Sequence, residues 1–304
     1  MSERVLTRYG AGYLRTTICG TDDGGYLVIR EPGPLRETDL RLSPLGRRAA
    51  EGSFPLPGSF QLPETAVAPL RFTVPQPVPL IDRMLWPAAF STTAHLLPPA
   101  LKAAGAALRE LTDLPIPGGI PTGMPELGRL LRWLRSGGGN ARDGARGNAQ
   151  RLYKQARWRL GPDMWTELTE TCGLLCARPE RVIHGNPTLS GVFPHSTATG
   201  GVTILTGETL TAGPADFDIS WLTGELLMHH LLSDGANDLD HAGLARAALE
   251  GYGLDSAPAQ ATPIARLRLL HHVLSYVVHV NWRDDLVDRL GSIQDKVPAW
   301  IRAL

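Results

Sequence analysis

The chain has 304 residues, of which 43% are hydrophobic and 20% are charged, and its formal net charge at pH 7 is zero. This length allows one large domain or two smaller lobes with a sizeable core, and the composition is typical of a soluble globular protein. Because the charges balance, they exclude a global attraction to nucleic acid or to a membrane surface, and neither is expected as a partner.

The N-terminal run MSERVLTRYG contains no apolar segment of the kind found in signal peptides. No apolar run approaches the roughly 20 residues that a membrane-spanning helix needs. We therefore expect a cytoplasmic protein.

Residues 11–30 predict two strands joined by a turn. The runs YLRTTIC and YLVIR are rich in β-branched and aromatic residues, and GTDDGG between them has the composition of a hairpin turn. Residues 31–80 combine many Pro and Gly with short apolar runs, which favours a small sheet with irregular connections. The run LIDRMLW, residues 80–86, is expected to be the last strand of this sheet.

From Pro98 onward the apolar residues recur at helical spacing. Helices are predicted over residues 98–114, 125–136, 161–177, 216–232, 240–252 and 263–290. Residues 137–148, which begin with a run of glycines, are expected to form a mobile loop. The runs RVIHG and GGVTILTG predict two short strands among these helices. We therefore divide the chain into a β-rich N-terminal lobe, 1–90, and a helical C-terminal lobe, 91–304.

Two motifs in the predicted C-terminal lobe resemble those of one enzyme group. The run VIHGNPTLSGVF is similar to a loop patterned as His-Gly-Asp, four residues, Asn and two apolar residues. The run VTILTGETLTAGPADFDISWLTGEL is similar to a segment patterned as Ile-Asp-Trp-Glu, Gly-Asp-Pro and Asp-Leu-Ala. These motifs belong to the aminoglycoside-phosphotransferase and choline-kinase group. The resemblance implies an α+β, two-lobed, protein-kinase-like fold with a small β-rich N-terminal lobe and a larger helical C-terminal lobe.

The departures from the family pattern fall on the residues that carry its chemistry. By this resemblance Asn186 occupies the place of the catalytic Asp. Gly191 and Thr206 occupy the places of the two metal ligands. Arg30 occupies the place of the Lys that contacts phosphate, and no lysine precedes Lys102.

Two other residues keep their family places. His184 is expected to be a structural residue that hydrogen-bonds the loop backbone. Asp218 lies where the family has the Asp of Asp-Leu-Ala. The backbone frame of the motif is therefore expected to be preserved.

Phosphoryl transfer in this fold depends mainly on positioning and charge neutralisation. The amide oxygen of Asn186 can orient a hydroxyl but cannot take its proton, and loss of such a base costs on the order of 10²–10⁴ in rate. Mg²⁺ prefers hard, often anionic oxygen ligands, whereas Gly191 has no side chain and Thr206 has a neutral hydroxyl. The substitutions therefore indicate a catalytically degenerate site.

Four charged residues are candidates for binding a cofactor or a metal at this site. Arg30 keeps a positive charge and can hold phosphate with its planar fork, so nucleotide binding without metal stays open. Glu51 is either the carboxylate partner of Arg30 or an ordinary exposed Glu. Glu208 and Asp218 are candidate metal ligands if the protein is active, although Asp218 before an apolar run is also typical of a helix N-terminus.

The leading hypothesis is a catalytically degenerate phosphotransferase-like protein, a pseudokinase, that binds a peptide, a partner protein or a nucleotide and needs no cofactor. The resembling family includes actinobacterial enzymes of peptide natural-product pathways, and the preference for Ala, Gly, Pro and Arg is typical of such GC-rich genomes. A precursor peptide or a partner enzyme in such a pathway is therefore expected.

Two alternatives stay open. The first is a divergent, active O-phosphotransferase that uses ATP and Mg²⁺ and acts on a hydroxyl of a small molecule or on a peptide Ser or Thr. The second is a metal-free sensor of a nucleotide or another small molecule.

Overall fold

A computed structural model describes residues 3–10, 12–86, 89, 91–120, 123–138, 143–195, 200–233 and 239–304. The strands are β1 (Arg4–Gly10), β2 (Leu14–Gly20), β3 (Tyr26–Pro32), β4 (Phe60–Gln61), β5 (Leu70–Val74), β6 (Arg181–Ile183), β7 (Val192–Pro194), β8 (Val202–Leu205) and β9 (Thr211–Gly213). The helices are α1 (Pro44–Ala50), α2 (Leu80–Leu85), α3 (Leu97–Thr112), α4 (Pro125–Ser136), α5 (Asp143–Cys176), α6 (Phe217–Ser233), α7 (His241–Tyr252), α8 (Ala261–His279), α9 (Asp284–Asp288) and α10 (Ser292–Arg302).

The N-terminal strands form an antiparallel sheet in the order β1-β2-β3-β5. β2 and β3 confirm the two strands predicted from residues 11–30. The sequence pattern does not predict β1, because nearly all of its residues are exposed and no alternation of buried and exposed positions marks it.

The inner face of this sheet packs directly on the β7–β8 hairpin. Ile18, Val28 and Phe72 lie side by side in register on β2, β3 and β5, and all three are fully buried. They share one apolar cluster with Phe193 of β7 and Leu205 of β8. The N-terminal sheet and the C-terminal part therefore share a closed core where they meet.

The segment between β3 and β5 also joins the C-terminal part. β4 pairs in parallel with β8, which pairs in turn with β7. Gly46 of α1 lies against the backbone of Gly207, and the Ser43 hydroxyl donates a hydrogen bond of 2.6 Å to the carbonyl oxygen of Leu210. Residues before position 90 thus help to fix the loop after β8.

The strand expected over residues 80–86 is wrong, because this run forms α2. Leu80 and Met84 are buried and lie four residues apart, whereas Leu85 and Trp86 are exposed. This is helical spacing, and α2 packs against the turn at Leu189–Gly191. Pro79 directly before the helix fits its start.

The helical predictions hold for most of the C-terminal part, with two corrections. Of the loop expected over residues 137–148, positions 139–142 lie outside the described residues, and those from Asp143 onward begin α5. α5 continues to Cys176, with a break at Gly161 where φ is 74° and ψ is 168°. The helix predicted over 263–290 ends at His279, and α9 and α10 follow it.

Two antiparallel strand pairs lie among these helices. β6 pairs with β9, and β7 pairs with β8. β6 and β8 confirm the predicted strands, whereas β7 and β9 are too short to leave a pattern in the sequence. Within the described ranges, no helix is long and apolar enough to cross a membrane.

The contact between α3 and α7 provides a test of the fold. A Cβ atom at Gly105 would collide with the carbonyl oxygen of Ala248, so these helices approach backbone to backbone. We expect Gly105→Ala to lower the free energy of unfolding by roughly 1–3 kcal/mol through overpacking. Urea denaturation followed by circular dichroism measures this.

The matched control is Gly128→Ala in α4, where the nearest atom to a new Cβ is Nη1 of Arg132, at 3.8 Å. This change should stabilise the protein by roughly 0.5–1 kcal/mol, because Gly is a poor helix former. Equal effects of the two substitutions would contradict the packing described.

Candidate functional site

A buried carboxylate holds the loop that carries the motif residues, the His-Gly-Asn loop (residues 184–191). The two carboxylate oxygens of Asp218 accept hydrogen bonds from the backbone N–H groups of His184, at 2.5 Å, and Gly185, at 2.9 Å. Gly185 has φ of 81°, and a Cβ there would collide with the carbonyl oxygen of Thr209. The turn therefore requires glycine.

A second carboxylate holds the far end of the same loop. Glu225 of α6 accepts a hydrogen bond of 3.0 Å from the N–H of Leu189 and forms an ion pair of 3.0 Å with Arg268 of α8. The Glu225 and Arg268 side chains are both only 6% exposed. The His-Gly-Asn loop is thus fixed at both ends by α6.

His184 ties the loop to β8. Its Nε2 lies 2.8 Å from the carbonyl oxygen of Leu205, and its Nδ1 lies 3.4 Å from the backbone nitrogen of Asn186. Burial lowers the pKa of His184 to about 4. The neutral ring therefore donates from Nε2 and accepts at Nδ1, which is the structural placement expected from the resemblance.

Asn186 presents hydrogen-bond donors to its surroundings. Its Oδ1 lies 3.0 Å from Nε1 of Trp221, a fully buried indole. An indole N–H can only donate, so the contacted atom is the amide oxygen and the orientation of the amide is settled. The amide nitrogen has no hydrogen-bond partner among the described residues.

Asn186 lies beside a polar cavity of about 180 Å³ between the N-terminal sheet and the C-terminal part, which we call the cleft. Its charged lining residues are Arg30, Arg36, Arg129, Glu126 and Glu208. Its neutral polar lining includes Tyr13, His184, Asn186, Thr188, Ser190, Thr206, Thr209, His271 and Ser275. The cleft brings together most of the sequence-predicted residues.

An ion pair crosses the cleft where the motif positions meet. Nη1 of Arg30 lies 2.9 Å from Oε1 of Glu208, and each side chain is only 14% exposed. Nη2 of Arg30 lies 3.4 Å from the point that a Cβ on Gly191 would occupy. Thr206 is 3% exposed, and its hydroxyl lacks a hydrogen-bond partner among the described residues. Arg30, Glu208, Gly191 and Thr206 therefore form one cluster.

Two predicted roles need correction. Glu51 is not the partner of Arg30, because it is exposed at the C-terminal end of α1 and Glu208 takes that place. Asp218 is not available as a metal ligand, because it is fully buried and both oxygens accept backbone N–H groups. Among the described residues, no group of three or more His, Cys, Asp or Glu could hold a metal ion.

The sequence pattern does not reveal the opposite wall of the cleft, on α4 and α8. Glu126 and Arg129 lie one helical turn apart and form an ion pair of 2.5 Å, and His271 of α8 lies 3.2 Å from Glu126. Burial raises the pKa of Glu126, but Arg129 and His271 together hold it well below its usual range. The i,i+3 spacing of a Glu and an Arg is the only sequence signal, and it equally fits an exposed helix face.

Tyr13, in the connection between β1 and β2, forms part of the wall of the cleft. The guanidinium carbons of Arg129 and Arg36 lie 3.9 and 4.5 Å from the centre of the Tyr13 ring. The N–H of Gly12 donates a hydrogen bond of 2.7 Å to the carbonyl oxygen of His279 at the end of α8. The N-terminal hairpin is thus attached to the C-terminal part.

No protein-family model and no curated protein matches the chain in sequence. Solved structures do match it. The chain is similar to an ethanolamine kinase from Plasmodium vivax, with a TM-score of 0.52 and 11% identity over 99% of this chain and 83% of that chain. The chain has the protein-kinase-like fold.

Two further solved structures also match the fold of the chain. A choline kinase from Cryptosporidium parvum Iowa II has a TM-score of 0.51 and 9% identity, over 99% of this chain and 90% of that chain. A spectinomycin phosphotransferase in complex with ADP and spectinomycin has a TM-score of 0.50 and 11% identity, over 99% and 87%. The predicted kinase-like α+β fold is confirmed. At these identities the likeness concerns the fold, and what the cleft does must be argued from its own residues.

The Asp218 contact provides a second test. We expect Asp218→Asn to cost about 1–3 kcal/mol of stability, because the amide has one acceptor oxygen and leaves one buried N–H unpaired. Asp216→Asn is the matched control, because Asp216 is partly exposed, and it should stay within about 0.5 kcal/mol of the wild type.

The same pair of variants tests the protonation of Asp218. Burial raises the pKa of Asp218 to about 7 from 3.8, against the lowering effect of the two N–H groups. Between these values the folded state binds the proton more tightly, so stability relative to D218N should rise as pH falls from about 7 to about 4. Urea denaturation at several pH values measures this; a stability difference that shrinks as pH falls would refute it.

Proposed function

We propose that this chain is a pseudokinase: its kinase-like cleft binds a ligand and no longer transfers phosphoryl groups. One observation carries the proposal. The Arg30–Glu208 ion pair lies beside Gly191 and Thr206, the positions that correspond by resemblance to metal ligands.

The residues of this cluster do not fit Mg²⁺. A divalent cation needs several hard oxygen ligands in near-octahedral geometry. Gly191 supplies none, Thr206 supplies one buried neutral hydroxyl, and the carboxylate of Glu208 is already bonded to a guanidinium. An incoming Mg²⁺ would also be repelled by Arg30, whose charge cannot be removed by deprotonation.

Asn186 does not fit the role of a base. An amide cannot take a proton from an attacking hydroxyl. Here its oxygen accepts from Trp221, and its amide N–H₂ has no partner among the described residues and is available to a ligand. Position 186 therefore offers a ligand hydrogen-bond donors, whereas a carboxylate would offer only acceptors.

The size of the cleft supports the same conclusion. Its volume of about 180 Å³ is below the roughly 300–1,000 Å³ typical of sites for drug-sized ligands. The closed core around Phe72, Phe193 and Leu205 fills the adjoining space between sheet and hairpin.

The biological setting of the proposal rests on the sequence resemblance alone. We propose a peptide or a partner enzyme of an actinobacterial natural-product pathway as the partner, in the cytoplasm. We also propose that the boundary between the two lobes lies at residue 90.

The active-phosphotransferase alternative has one observation in its favour. Glu208 lines the cleft beside Thr206, as a metal ligand would need to do. Asp218, the second carboxylate of that alternative, does not line the cleft. A single carboxylate that is already paired is a weak basis for Mg²⁺ binding.

Calorimetric titration with ATP, with and without Mg²⁺, tests the proposal when it is combined with an assay of ATP turnover on the same sample. We expect no Mg²⁺-dependent tightening and no turnover above the protein-free background. Tighter binding with Mg²⁺ together with turnover would establish the active alternative instead.

A reconstruction tests which residues prevent catalysis. We expect N186D/T206D to gain at most weak Mg²⁺ binding, because Gly191 and the Arg30–Glu208 pair remain. The quadruple variant that also carries R30K and G191N should bind Mg²⁺ more tightly than the double variant, since Arg30 no longer crowds position 191. Calorimetry with Mg²⁺ and ATP compares the two variants, and robust turnover by the double variant alone would show that the ion pair is no obstacle.

A further inference from the structure

The cleft has hydrogen-bond donors that no described residue accepts from. The amide N–H₂ of Asn186 is unbonded to described residues, and its orientation is fixed by Trp221. Arg36 also lines the cleft, and its only hydrogen bond within the described ranges is from Nε to the carbonyl oxygen of Thr38, at 3.0 Å. The two terminal N–H₂ groups of Arg36 therefore remain for a ligand.

Arg36 is also held in place. Its guanidinium stacks on Tyr13, with 4.5 Å from its carbon to the ring centre, and the Arg129 guanidinium lies 3.9 Å from the same ring centre. A stacked guanidinium has lost much of its freedom before a ligand binds, so less entropy is lost on binding. Arg36 is the cleft arginine whose fork has no carboxylate partner among the described residues.

The charged side chains in the described lining of the cleft, three arginines and two glutamates, sum to one positive charge. Arg30 is paired with Glu208, and Arg129 is paired with Glu126. Burial lowers the pKa of both lining histidines, His184 and His271, to about 4, so they add no charge at pH 7. Arg36 is the remaining charged residue in the described lining, so a single negative charge would balance the described lining residues.

We propose that the cleft binds a small carboxylate, held by the terminal N–H₂ groups of Arg36 and the amide N–H₂ of Asn186. A carboxylate matches this site in charge, since it carries one negative charge, and in shape, since its two oxygens fit the planar fork of arginine. It is also small enough for a cavity of about 180 Å³. This inference rests on the proposed function, because it requires that Asn186 serves as a donor in a cleft that does no transfer chemistry.

Two sources supply this chemistry, a free small acid or the C-terminus of a peptide. Calorimetric titration distinguishes them with four probes: acetate, acetamide, N-acetyltrialanine with a free C-terminus and N-acetyltrialanine amide. We expect the two carboxylates to bind in the millimolar range or tighter and both amides to bind at least tenfold more weakly. Tighter binding of N-acetyltrialanine than of acetate assigns a peptide C-terminus, and the reverse order assigns a small acid.

Variants test the assigned donors. Arg36→Gln and Asn186→Asp should each weaken carboxylate binding by about tenfold or more, the second because it places a like charge beside the ligand. Arg36→Lys should retain part of the affinity. Arg8→Gln is the control, because Arg8 is exposed on β1 and does not line the cleft, and it should bind as the wild type does. Unchanged melting temperatures confirm that the variants fold.

The results that overturn the inference differ from those that overturn the proposed function. No carboxylate binding at millimolar concentration, equal binding of acid and amide, or tighter binding of inorganic phosphate would each refute the carboxylate site. Unchanged affinity in both R36Q and N186D would refute it as well. Mg²⁺-dependent ATP turnover in the same sample would refute the pseudokinase proposal, whichever probe binds.

Discussion

Asp218 accepts the N–H groups of His184 and Gly185 with its two oxygens, and the placement of the whole His-Gly-Asn loop depends on this contact. Glu225 fixes the other end of the loop through Leu189. Both carboxylates lie on the buried helix α6, and their contacts among the described residues are with loop backbone and a buried arginine, so these contacts maintain the shape of the loop. The contacts made by Asp218 and Glu225 reach backbone N–H groups, so they do not depend on which side chain stands at position 186.

The side chains that face the cleft form a physically consistent set. Arg30 places a permanent positive charge beside Gly191, and Glu208 neutralises it. Asn186 is turned by Trp221 so that donors face outward. A positive charge and N–H donors suit an anionic ligand, and they are unfavourable for a divalent cation. The same residues that argue against phosphoryl transfer therefore argue for a site that binds an anion.

The sequence predicted the parts of this arrangement that depend on local chemistry. The His-Gly turn, the spacing to Asp218 and the amphipathic helices all leave patterns within one short segment, so the fold and the positions of Asn186 and Gly191 could be recognised. α2 was mistaken for a strand because its six residues are too few to show a helical period clearly.

Contacts between distant segments could not be predicted in this way. Arg30 and Glu208 are 178 residues apart, and Glu126 and His271 are 145 apart. The position of Glu51 about 20 residues after Arg30 makes it a candidate partner, but one sequence does not show which carboxylate the fold brings near. The orientation of Asn186 depends on an indole 35 residues away and needs three-dimensional structure for the same reason.

We propose that the Arg30 guanidinium, held by Glu208, occupies the place that a metal ion takes in a phosphotransferase. Electron paramagnetic resonance with Mn²⁺, used as a substitute for Mg²⁺ in the presence of ATP, tests this most directly. If the account is right, adding the protein leaves the signal of Mn²⁺ and its ATP complex unchanged. Loss of that signal in proportion to the protein added would show that the cleft binds the metal, and would contradict the account.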